Sequence, residues 1–175
     1  MIRTVGHSNH PIERFLAILA AHGVARVLDV RRFPASRKWP HFDAATLAKS
    51  LAGAGVEYVG MPELGGRRRP RPDSPHTAWR VDAFRGYADF MDTPAFAAAL
   101  ETVEALARER PSALLCAEAL PWRCHRSLIA DALLARGWRV LEILSEREAR
   151  PRRLSAFARV EGTRVVYDGG GELAR

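Results

Sequence analysis

Cysteine and lysine are nearly absent from this chain. Cys116 and Cys124 are the only thiols in 175 residues, too few for the disulfide framework that staples small secreted domains. They fall in one polar turn and read as two free thiols of a reducing compartment, with a Cys116–Cys124 disulfide as the alternative. No apolar run approaches the roughly 20 residues that cross a bilayer, and Met1–Gly6 leads into a strand with no signal-peptide core. A cytoplasmic protein with no membrane partner is expected. The Gly-x-Gly-x-x-Gly fingerprint of a dinucleotide-binding turn is missing too, which favours hydrolysis or group transfer over redox chemistry. No internal repeat or linker interrupts the chain, so residues 1–175 read as one domain, long enough to bury a proper core.

Arginine is what the chain has in quantity. All but two of its 27 basic residues are arginine, the exceptions being Lys38 and Lys49, and the net charge is +7. Guanidinium groups suit bidentate recognition of phosphate or carboxylate, so an anionic small molecule or a nucleic acid is the expected partner. A GC-rich genome would give the same bias with no functional cause. The rest of the composition is that of an ordinary globular protein, and nothing in it points to a protein partner or a cofactor.

Apolar strands alternate with helical patterns along the chain. Strands are expected at Ile2–Val5, Arg26–Val30, Val56–Val59, Ala113–Cys116 and Trp138–Leu144. Between them, helices are expected after Pro11, after Asp43, from Phe84 to Met91, from Pro94 to Arg110 and from Ser127 to Ala135. A segment from Pro62 to Asp82, rich in Gly, Pro and Arg, has no periodicity and reads as a functional loop. The stretch 150–175 is an extension carrying a candidate hairpin around Glu161-Gly162. This alternation predicts an α/β fold with a mainly parallel sheet flanked by helices. Ligands of such sheets bind beyond the carboxyl ends of the strands, and three polar clusters each follow a strand: Gly6–His10, Asp29–Arg37 and Cys116–Arg126.

In the first cluster His7 is a candidate general acid or base and Ser8 a hydrogen-bond donor, with helix capping as the plain alternative for Ser8 or Asn9. In the second, Asp29 is expected to orient His7 or a substrate hydroxyl, or else to pair structurally with Arg31; Ser36 belongs to an anion-friendly loop. The third is densest. Glu118 is a candidate acid or base whose partial burial would raise its pKa. Cys124, near a helix start and flanked by Arg123 and Arg126, is the candidate thiolate nucleophile. Arg31, Arg123 and Arg126 are the candidate anion ligands, with His125 beside them. The basic run Gly65, Gly66, Arg67, Arg68 through Arg71, with Trp79 and Tyr87, is a candidate lid, a nucleic-acid grip with Trp79 stacking a base, or simply a solvated loop.

Two specific chemistries compete with this reading. A phosphatase-type loop needs five residues between Cys and Arg, and Cys116 to Arg123 encloses six. Cys116, Cys124, His125 and His7 are zinc-type ligands, but their spacing fits no standard metal knuckle, so no metal is expected. A purely structural turn, with Glu118 paired to Arg123 or Arg126, stays open.

Taken together and in order, Gly6-His7-Ser8, Asp29-Val30-Arg31 with Pro34 and Ser36, Leu64-Gly65-Gly66, Tyr87 through Met91, Cys116-Ala117-Glu118 and Cys124-His125-Arg126 resemble the domain of unknown function 488 family, from about Thr4 to Ile143. The resemblance implies a cytosolic α/β domain with these motifs gathered at one site, and it names no reaction. Phe90 stands where the family pattern often has tyrosine before the methionine, so any ligand contact by that phenol is lacking here. The expected function is an enzyme, a hydrolase or group transferase, acting on a phosphate-bearing or nucleotide-like substrate. The alternatives are a nucleic-acid-binding module without catalysis, driven by the basic loop, and a metal-dependent hydrolase.

Overall fold

The computed structural model describes residues 1–169; the last six residues of the expected C-terminal extension lie outside the described residues. The inner strands of the central sheet alternate their side chains between two cores. In β1 (Ile2–Gly6), Ile2 joins one core and Val5 the other; in β2 (Arg26–Asp29) the same holds for Leu28 and Val27. In β4 (Ser112–Cys116), Leu114 and Cys116 face the first core, Ala113 and Leu115 the second. A strand buried on both faces reads as a continuous apolar run, which is why these segments were legible in the sequence.

Helices cover both faces. Phe15, Ile18 and Leu19 of α1 (Ile12–Ala21) pack into the second core with Leu47 and Leu51 of α2 (Ala44–Gly53). The first core lies under α3 (Asp82–Met91), α4 (Pro94–Glu109) and α5 (Arg126–Ala135). Thr93 caps α4 by accepting the Phe96 N–H at 3.2 Å, and Pro94 follows where no helical N–H is needed. The product is a three-layer α/β fold. No helix among the described residues is long and apolar enough to cross a membrane.

With β3 (Glu57–Gly60), β5 (Val140–Ile143) and β6 (Ala149–Pro151), the sheet runs in the order β3-β2-β4-β1-β5-β6. Every pairing is parallel except β5–β6. The strand β6 was not expected. It is three residues long and ends in Pro151, too short for a periodicity and tolerable only at an edge. A hairpin does follow, as β7 (Arg159–Glu161) and β8 (Arg164–Val166) with Gly162 at φ +63° in its turn.

The strand order decides where a site can form. The chain leaves β1 and β2 toward α1 and α2 on one face, but leaves β4, which lies between them, toward α5 on the other. Connections diverging to opposite faces open a crevice at the strand ends. The loops after β1, β2 and β4 therefore meet side by side.

Candidate functional site

Backbone bonds continue the β1–β4 ladder past the strands. The His7 N–H donates to the Cys116 carbonyl at 3.0 Å and the Ser8 N–H to that of Ala117 at 2.9 Å. Gly6 makes this approach possible, because a Cβ there would lie 1.9 Å from the Glu118 carbonyl oxygen. On the other side of β4, the Val30 N–H donates to the Leu115 carbonyl at 3.0 Å. The three clusters of the sequence are thus stitched into one edge.

At its floor lies a locked ion pair. Arg31 donates to both oxygens of Asp29, from Nε at 2.8 Å and Nη2 at 2.6 Å, and Tyr58 donates its phenol to the same carboxylate at 2.8 Å. Burial and the Asp29 charge push the Tyr58 phenol well up, so it stays a donor. From Nη1, Arg31 reaches the Phe42 carbonyl at 2.8 Å and His7 Nε2 at 3.2 Å. A guanidinium can only donate, so His7 Nε2 accepts and its Nδ1–H donates to the Ser8 carbonyl at 2.9 Å. The His7 ring is buried and stacks on Phe42 with centroids 4.0 Å apart. Burial, reinforced by the Arg31 charge, brings its pKa down to about 4, and the imidazole is neutral. Asp29 therefore orients Arg31, and Arg31 holds His7; the direct Asp29–His7 bond expected from the sequence does not form. Nothing in the sequence marked Tyr58 as the third partner, since a residue 29 positions from Asp29 meets it only through β2–β3 pairing.

Beside this pair, Cys116, Cys124 and His125 converge. Their Sγ and Nδ1 atoms all lie within 4.8 Å of one another, with Sγ to Nδ1 at 3.9 Å from Cys116 and 3.8 Å from Cys124. His125 Nε2–H donates to the Val30 carbonyl at 3.0 Å, which leaves the Nδ1 lone pair facing the sulfurs. Both thiols are free and buried. The two thiols titrate as a pair: the contact between the sulfurs and the Arg126 charge favour a single thiolate, which burial opposes. Cys124, the expected nucleophile, is thus one member of a thiol pair with Cys116. His7 is not part of this group, because its Nε2 belongs to Arg31.

Arg126 also corrects its expected role. It is fully buried and donates from Nη1 to the Glu118 carbonyl and from Nη2 to the Ala119 carbonyl at 2.8 Å. It shapes the turn from inside, its side chain closed off from the surface with the buried Nε–H unpaired.

Above this floor opens a cleft of about 550 Å³, lined among others by His7, Ser8, Arg31, Ser36, Glu118 and Arg123. Glu118 is exposed, not partly buried. The wall also contains Lys38, Arg67, Trp39 and Phe33, the last 65% exposed. Lys38, Trp39 and Phe33 were not singled out in the sequence, where they look like ordinary loop residues. Ser36 fixes their loop: its N–H donates to Asp43 at 2.5 Å and its hydroxyl accepts the Trp39 N–H at 2.9 Å. Among the described residues, Ser8 and Arg67 are the only non-glycines with positive φ, at +50° and +61°, and both face this cleft. Such strain persists where surrounding structure over-determines it, and it concentrates at functional sites.

The basic loop is less free than its sequence suggests. Arg68 lies 3.5 Å over the Phe90 ring and donates to the Glu63 carbonyl at 2.7 Å, while the Arg71 N–H donates to Asp89 at 2.8 Å. Trp79 packs among Phe84, Phe157 and Tyr167, and Tyr87 is fully buried with its phenol donating to the Leu64 carbonyl at 2.7 Å. Neither aromatic side chain is placed to stack a base; the C-terminal hairpin, invisible to a local reading of the loop, claims Trp79. Gly65 and Gly66 serve close packing, since Cβ atoms there would lie 2.4 Å from the Arg32 Cβ and 2.9 Å from His125 Nδ1.

A family model described as "Domain of unknown function DUF488" matches residues 11–133. The chain belongs to this family. The match takes in the Asp29–Arg31 pair, the double glycine and the whole Cys116–Arg126 turn of the DUF488 domain, while Gly6-His7-Ser8 lies just ahead of it. No curated protein and no solved structure matches the chain.

Proposed function

We propose that this DUF488 protein is an enzyme of the hydrolase or group-transfer class, acting on a phosphate-bearing, nucleotide-like substrate in the cleft at the ends of β1, β2 and β4. The observation that carries this reading is the make-up of the cleft wall, where Lys38, Arg67 and Arg123 surround a single carboxylate, Glu118, and Phe33 and Trp39 border the same space. A concave surface lined by cations concentrates anions. Guanidinium forks match phosphate oxygens, and flat aromatic faces suit a nucleobase. In this reading Arg67, Arg123 and Lys38 hold the phosphate. Glu118 accepts the proton of the attacking water or hydroxyl. Arg31, immobilised by Asp29 and His7, supplies a fixed positive charge at the floor, where preorganised charge stabilises a transition state without reorganising.

Calorimetric titration with AMP and with inorganic phosphate tests the binding half. AMP is expected to bind, and Arg67→Ala and Arg123→Ala each to weaken it about tenfold, the value of about 1.4 kcal/mol for a lost charge-assisted bond. Phosphorus NMR on ADP and ATP tests the chemistry, with Glu118→Gln expected to keep binding and lose turnover. No binding of either ligand, or turnover that ignores Glu118→Gln, would sink the proposal. Oligonucleotide binding that falls steeply with salt and survives Glu118→Gln would favour the nucleic-acid module instead.

A further inference from the structure

We infer that Cys116, Cys124 and His125 form a binding site for a thiophilic divalent cation of the zinc class, with one coordination position left open. The site stands on residues other than the cleft's phosphate ligands and holds whether or not a nucleotide binds there. Two sulfurs and one imidazole are the ligand types such ions select. A tetrahedral ion with bonds of about 2.3 Å to sulfur and about 2.0 Å to nitrogen has sulfur-to-nitrogen edges of about 3.5 Å. The observed separations, 3.9 and 3.8 Å, need only a few tenths of an ångström of closure.

Three independent features point the same way. First, the hydrogen bond from His125 Nε2 to the Val30 carbonyl sets the tautomer and the ring angle, and aims a bare Nδ1 lone pair at the sulfurs. Metal-binding imidazoles are held in this manner by an outer partner. Second, Gly66 keeps space beside that lone pair, since a Cβ there would approach Nδ1 to 2.9 Å. Third, two thiolates neutralise a divalent ion. The assembly therefore adds no charge to a floor in which Arg126 is already buried with carbonyl oxygens as its acceptors.

Among the described residues no fourth side chain of ligand type joins the group. Two small cavities, of about 230 and 170 Å³, border Cys116 and His125 instead, and exposed Glu118 lines both. Three protein ligands beside an opening are the pattern of a site that binds water or substrate, in contrast to a closed structural site.

The test uses the full chain loaded with zinc or cobalt(II) after purification under reducing conditions. One ion per chain is expected by elemental analysis. The cobalt form should show near-ultraviolet thiolate-to-metal charge transfer and the visible bands of tetrahedral cobalt. Cys124→Ser should roughly halve the charge-transfer intensity. Cys116→Ser/Cys124→Ser and His125→Ala should lower zinc affinity by about a hundredfold or more. Gly66→Ala leaves all three ligands in place and should weaken binding by crowding Nδ1, with circular dichroism confirming that each variant is folded. A folded wild-type chain that binds no ion overturns the inference. So does metal binding that survives the double cysteine substitution, or a Cys116–Cys124 disulfide recovered in place of the ion. Zinc binding without AMP binding leaves this site standing and removes the nucleotide reading; AMP binding by a chain that takes up no zinc does the reverse.

Discussion

At the scale of single residues, the edge of the sheet depends on close approaches that leave no room for a side chain. Gly6 is the strictest case, because its would-be Cβ meets the backbone carbonyl of Glu118, which cannot swing away as a side chain would. Gly6→Ala is expected to cost about 1–3 kcal/mol and to lower the urea midpoint without changing the slope. The Asp29–Arg31 pair is the second strict case. Both groups are buried, and the guanidinium also serves Phe42 and His7. Arg31→Lys keeps the charge but cannot reproduce the two-point contact with Asp29 or reach both other acceptors. It should destabilise by about 1–3 kcal/mol in chemical denaturation, since it leaves buried acceptors among Asp29, Phe42 and His7 without their hydrogen bonds.

At the scale of elements, the β7–β8 hairpin, expected from its Glu161-Gly162 turn, anchors through contacts with distant segments that local sequence does not show. Tyr167 beyond β8 is fully buried and donates to Asp131 of α5 at 3.1 Å, and Asp131 also accepts from Arg152 at 2.7 Å. Arg164 donates to both oxygens of Asp92, at 2.7 and 2.8 Å, pinning the hairpin to the end of α3. Burial alone would push the Asp92 carboxyl up, but Arg164 and His76 outweigh it and hold it below the usual carboxylate value. An acid that ionises more readily in the folded chain adds stability above its ordinary pKa, and that stability is lost as pH falls through its lowered value. Arg164→Ala should therefore cost about 1 kcal/mol at neutral pH, discounted for the exposure of Arg164. The gap between variant and wild-type melting temperatures should close as the pH drops below the carboxylate range. A gap unchanged in acid would show that the contact acts through packing alone.

At the scale of the whole molecule, two cores share one sheet, and β4 at its centre feeds both. Leu114→Ala removes a fully buried side chain from the first core and should cost about 2–5 kcal/mol, read as a single cooperative unfolding shift. The residue types, the strand–helix alternation and the three polar clusters were legible in the sequence because burial on both sheet faces writes continuous apolar runs, against which a dense polar turn stands out. The family was legible too, as an ordered set of short motifs. What the sequence could not specify was anything set by strand order. That β4 lies between β2 and β1 is what joins the three clusters and brings His7 within reach of Arg31, while the β2–β3 pair adds Tyr58 to Asp29. Tertiary packing likewise turned Trp79, Tyr87 and Arg126 inward, left Arg67 and Arg123 facing the cleft, and brought Cys116, Cys124 and His125 within reach of one ion. Local sequence determines which groups a chain carries and the elements that carry them. Which groups touch is decided by pairings between distant segments, whose energies no short window contains.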